Sequence, residues 1–185
     1  MMEKIIPLER LTFLQVLKYV VGSLKWIHSL IFIFCLIVII LGVVLQHISI
    51  ILPFIRYLIV IYVLGIVLSL AIHEYMHILL IKILTNHQEV KIVANWKKFS
   101  IKPLRSITGI KSIIIACSGP LVCVAISTFF ISFHLYYNEN INILFLLAIC
   151  YGTHIFNLLP FSGDGLMVMK EIYRLIKRGK GIWIV

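Results

Sequence analysis

Residues 71–80 read AIHEYMHILL, two histidines and a glutamate inside an otherwise apolar run. His73 and His77 are four residues apart. On a helix they share one face, a turn apart, and two imidazole nitrogens can converge on one metal ion. Glu74 follows the first histidine and points near the same place without ligating. This is the HExxH arrangement, in which two histidines bind Zn²⁺ and the glutamate acts as general base on zinc-bound water. A charged side chain at the centre of a bilayer costs about 2.5–3.5 kcal/mol on insertion scales. Three polar groups in such a run therefore need compensation, and a metal ion supplies it. The competing explanations are a hydrogen-bonded helix-packing cluster and a proton relay in a transporter.

A catalytic zinc usually has three protein ligands and keeps one position for water. The candidate for the third is Asp164, in the stretch HIFNLLPFSGDGLM of residues 154–167. Gly163 and Gly165 flank it and would let the backbone bend so that its carboxylate turns inward. Ser-Gly-Asp-Gly also reads as a surface turn in which Asp164 only caps the downstream segment. Glu171, in a charged C-terminal segment, is a remote alternative. His154 lies one helical turn before Asn157. It could tune a metal or meet a substrate, but a lone histidine is more often a packing residue, and it stays outside the ligand set.

The elements that must position these groups follow from composition. The chain has 185 residues, 62% apolar and 13% charged, with a mean hydropathy of +1.09. Soluble domains are about 45–50% apolar and roughly 25% charged. A chain this poor in charge cannot cover a soluble surface, which points to a single all-α polytopic membrane domain over 1–185. A spanning helix needs about 20 mostly apolar residues. Four stretches qualify: 27–48, 56–84, 113–133 and 143–159. Pro53 stands just before the second, where a helix can begin. Pro120 falls inside the third and should kink it. The first is too long for the apolar part of a signal peptide and is read as a retained span.

The net charge of +10 is explained by topology. Basic residues gather before the first span, between the second and third, and in a basic tail over 166–185, while the other two loops are nearly bare. Alternate basic loops fit four spans with both termini in the cytosol of a cell membrane. No nucleic-acid partner is needed, and contact with lipid headgroups is a by-product. This topology also brings Asp164 and the histidine pair to similar depth on one side. Within residues 86–111, WKKFSIKPL alternates weakly, and a short β-hairpin there competes with a basic loop lying on headgroups. The four cysteines lie in apolar segments without a CxxC pair and read as small buried residues.

Together these residues resemble the site-2 protease family of intramembrane zinc metalloproteases. The likeness rests on His73-Glu74-Tyr75-Met76-His77, on Ser118-Gly119-Pro120 in the next span, and on Asn157-Leu158-Leu159-Pro160 followed by Asp164-Gly165. Order and placement on successive spans match, over a core of about 55–170. The interval from Pro160 to Asp164 is one residue shorter than the family pattern. The resemblance implies one Zn²⁺ per chain held by His73, His77 and Asp164, with Glu74 catalytic and Asn157 near bound substrate. It implies cleavage of membrane-embedded or membrane-adjacent peptides, in regulated intramembrane proteolysis or peptide maturation. Regulation then comes from a membrane partner or from nothing. A non-enzymatic metal or proton transporter using the same histidines is the alternative. The isoleucine- and lysine-rich composition points to a bacterial source.

Overall fold

The computed structural model describes residues 2–86, 89–95, 98–104, 106–137 and 142–180. The turn of the expected hairpin at 96–97, the loop at 138–141 and the last five residues of the expected tail lie outside these. The chain opens with strand β1 (Met2–Pro7), a 3-10 turn (Leu8–Arg10) and helix α1 (Phe13–Ser23). Helix α2 (Lys25–Val44) follows. Next come α3 (Ile48–Val60), a π-helical segment (Ile61–Val67) and α4 (Leu68–Leu84), which form one continuous helical run. Strands β2 (Glu89–Asn95) and β3 (Lys98–Pro103) precede α5 (Ile110–Tyr137). The chain ends with α6 (Asn142–Gly152), a 3-10 segment (Thr153–Leu158) and α7 (Gly163–Lys180).

Four helical runs are long and apolar enough to cross a membrane: Lys25–Val44, Ile48–Leu84, Ile110–Tyr136 and Ile143–Lys177. Their outward faces are apolar and exposed; Phe32, Ile40, Ile50 and Phe129 are examples. That is the pattern of helices whose solvent is lipid rather than water.

The second run differs from the sequence expectation. It begins at Ile48, and Pro53 lies inside α3 rather than ahead of it. Pro53 follows the first turn closely, so it removes only one helical hydrogen bond, and the chain has already reversed upstream. That reversal is made at Gln46, in the left-handed region at φ 58°. His47 N–H donates to the Gly42 carbonyl and Gln46 N–H to that of Val43, the pairing that closes a helix end of Schellman type.

The expectation of an all-α chain with a hairpin is also extended. The hairpin exists, with Ile92 opposite Ile101 and Val93 opposite Ser100. Strand β1 adds to its other side, with Ile6 opposite Val90, giving a three-stranded antiparallel sheet in the order β1-β2-β3. Alternation sends Ile6, Val90, Ile92 and Ile101 inward, where they meet Leu11, Val16 and Val20 around α1 and Ile78 and Ile81 of α4. Burying an aliphatic side chain contributes about 1.5–3 kcal/mol. The sheet is thus fixed against the helix that carries the HExxH residues.

Residues from 166 onward, expected as a basic tail, are helical through Lys180. Helix α7 runs back along α5. Its first turn lies at the histidines, and a turn and a half later Glu171 accepts the Gly109 N–H at 2.9 Å, just ahead of α5. Gly109 takes φ +75°, and its carbonyl accepts the first α5 bond from Ser112. Glu171 is buried and also pairs with Arg174. Leaving a buried donor without its partner costs about 1–3 kcal/mol. Glu171→Ala should therefore lower the thermal midpoint in detergent by several degrees and speed amide exchange at the start of α5. An unchanged midpoint would show that α7 docks by other contacts.

Candidate metal centre

Helix α4 buries His73, Glu74 and His77 at 3%, 7% and 6% exposure. It packs against α5 at Gly119 of the Ser-Gly-Pro motif. A Cβ at that position would stand 2.8 Å from the His73 carbonyl oxygen and 2.8 Å from His77 Nε2. Real Cβ atoms do not approach so closely, so only glycine lets the two helices meet at this level. Ser118 and Pro120 beside it are buried as well.

The imidazoles converge. His73 Nε2 lies 3.2 Å from His77 Nε2, and Asp164 Oδ2 lies 3.1 Å from the first and 3.5 Å from the second. His77 Nδ1 donates to the Ile115 carbonyl at 2.7 Å, which leaves its Nε2 as a bare lone pair. Ser118 Oγ shares the same carbonyl, also at 2.7 Å. A backbone acceptor on the far nitrogen is the usual support of a metal-binding histidine. His73 Nδ1 is buried without a hydrogen-bond partner among the described residues.

Asp164 reaches the histidines because of how α7 starts. The chain turns after Leu159, and Ser162 Oγ accepts the Gly165 N–H at 3.1 Å, as an N-cap does. The same hydroxyl donates back to the carbonyls of Asn157 and Leu159. Capping is thus done by Ser162, and Asp164 is free to project toward α4. Gly165 is the residue the turn requires, since a Cβ there would run into the Leu159 carbonyl. Gly163 has open space around it, so its lack of a side chain is not what bends the backbone. Glu171, engaged with Gly109 and Arg174, is outside the group.

Glu74 faces the sheet: its Oε2 accepts the Ile101 N–H at 3.2 Å. Because β3 is an edge strand, that N–H points away from β2, and the carboxylate sits between the ligand helix and the strand.

A second layer lies on the side of the 3-10 segment. The His154 ring stacks on His73, with centroids 4.8 Å apart and planes 30° apart. His154 Nε2 lies 3.1 Å from Ser69 Oγ, and Asn157 Nδ2 lies 3.3 Å from His154 Nδ1. Asn157 therefore meets the cluster through His154. That contact was visible in the sequence only as an i, i+3 spacing. Cys123, buried in α5, comes within 4.8 Å of ligand atoms of His73 and His154.

His73, His77 and Asp164 form a group that could hold a metal ion. The fit can be judged from the donors. Four-coordinate zinc with bonds of about 2.0–2.1 Å sets neighbouring ligand atoms about 3.3 Å apart. The three observed separations bracket that value, and two imidazoles with a carboxylate are a donor set zinc accepts. Comparison with protein-family models, curated proteins and solved structures finds no match to this chain.

Three substitutions test this geometry. Asp164→Ala should weaken zinc binding at least tenfold in the purified protein, whereas Glu171→Ala should leave zinc stoichiometry unchanged. The reverse result would make Glu171 the ligand. Gly119→Ala should also reduce bound zinc, because the new methyl lies against His77 Nε2. Full zinc occupancy in that variant would mean the helices can separate without loss of the site.

Proposed function

We propose that this chain is a membrane-embedded zinc metallopeptidase of the site-2 protease kind, acting on peptides within or beside the bilayer. The observation that carries the proposal is the convergence of His73 Nε2, His77 Nε2 and Asp164 Oδ2, with the Glu74 carboxylate buried beside them. Zinc held by these three groups would supply a Lewis acid for the scissile carbonyl and acidify an attacking water.

The rest falls to the chain's own residues. His77, with its proton fixed on Nδ1 by Ile115, presents Nε2 to the metal. Glu74 is the carboxylate placed to take the proton of the attacking water and return it to the leaving amine. Strand β3 is an edge strand among the described residues, with its Ile101 N–H held by Glu74, and an extended peptide can lie along that edge. A helical substrate has to unwind first, because its carbonyls are occupied by their own backbone hydrogen bonds.

The four apolar runs and the basic segments between them support a multi-pass protein of the cell membrane, bacterial in composition, with both termini in the cytosol. Its partners in this scheme are a membrane peptide, anionic lipid and a regulatory membrane protein. A transporter built on the same ligands would need a polar path across the bilayer. Among the described residues the metal-ligating side chains gather in one patch, which favours the peptidase.

Glu74→Gln in reconstituted membranes should keep one zinc per chain while cleavage falls by at least about 100-fold. Membrane peptides from cells carrying the active protein, compared with those from cells carrying the variant, would reveal the substrate. Cleavage unaffected by the substitution would overturn the assignment.

A further inference from the structure

The trio His73, Cys123 and His154 invites interpretation as a second metal group. The hydrogen bonds argue otherwise. Ser69 Oγ lies 3.1 Å from the Ile66 carbonyl and 3.1 Å from His154 Nε2. Giving its one hydrogen to the carbonyl, which can only accept, lets the hydroxyl accept in turn from a proton on His154 Nε2. Nδ1 is then a bare acceptor, matched by the Asn157 Nδ2 donor at 3.3 Å. Both ring nitrogens are committed.

We propose that His154 is a positioning residue that sets the direction of the Asn157 side-chain amide. Run from Asn157 to His154, from His154 to Ser69 and from Ser69 to the Ile66 carbonyl, the chain makes three hydrogen bonds. Run in reverse it makes two, because the carbonyl cannot donate. Asn157 makes no other side-chain hydrogen bond among the described residues, so its Oδ1 and second N–H remain for a ligand. One acceptor and one donor match the N–H and C=O of a peptide backbone. Asn157 would thus read main chain rather than side chain, one layer out from the metal ligands. This role rests on the peptidase proposal, and it extends that proposal to substrate recognition independent of side-chain identity.

Two zinc-binding probes separate the claims. Acetohydroxamate engages the metal alone, whereas a dipeptidyl hydroxamate also needs backbone contacts. Affinities are measured on the zinc-loaded full chain and on His154→Phe, His154→Asn, Asn157→Ala and the double variant His154→Phe/Asn157→Ala. Zinc content and acetohydroxamate affinity should be the same in all. The peptidyl probe should bind about tenfold more weakly to His154→Phe and to Asn157→Ala, the loss expected for a hydrogen bond or two. The double variant should be no weaker than Asn157→Ala, and His154→Asn, which keeps an acceptor at the δ position, should recover most of the loss. Zinc loss in His154→Phe, unchanged peptidyl affinity, or multiplying effects in the double variant would each overturn the proposal. If acetohydroxamate fails to bind the parent protein, the metallopeptidase proposal fails first. The Asn157 side-chain ¹⁵N–¹H resonances of the metal-free protein then decide the positioning role: a shift in His154→Phe supports it, and its absence overturns it.

Discussion

The burial of two imidazoles and a carboxylate among apolar helices is the constraint to which the rest of the fold answers. Each of these groups would be costly there alone. Each is met by a different element: the α5 backbone for His77, the first turn of α7 for His73, and the edge of β3 for Glu74. Elements far apart in sequence are thus drawn to one level of the bundle. The close approach at Gly119 and the tight turn at Gly165 are the steric conditions for that convergence.

Much of the site was legible because the long apolar helices are so uniform in sequence. Within them His73, Glu74 and His77 stand out by type alone, and helical spacing already puts both histidines on one face. Asp164 could be named from depth, but its orientation depended on the Ser162 cap, which competes with Asp164 itself for the role in the sequence. The layer formed by Ser69, His154 and Asn157 was less visible. Ser69 in α4 lies 85 residues from His154 in the 3-10 segment, and no local pattern joins a serine of one helix to a histidine of another.

The fold was legible in its spans and less so at the amino terminus. Hydropathy located four apolar runs, but the second begins earlier than expected, because Pro53 resembles a boundary, and the fourth continues to Lys177 rather than stopping at 159. The first 23 residues stand out in the sequence only for their charge. They hold a strand and a capped helix: Thr12 Oγ1 faces the Gln15 N–H, and Phe13, Val16, Leu17 and Val20 succeed it at helical spacing. That signature was available. The pairing of β1 with β2 was not, since their partners stand more than 80 residues apart and strand pairing at that range leaves little local trace.

The membership of the metal shell is the claim on which the account turns. X-ray absorption at the zinc edge measures it most directly, on reconstituted protein carrying one zinc per chain. A first shell of nitrogen and oxygen at about 2.0–2.2 Å, with outer-shell scattering from two imidazoles, is the predicted result. A sulfur scatterer at about 2.3 Å would bring Cys123 into the shell in place of the carboxylate and would contradict the site described.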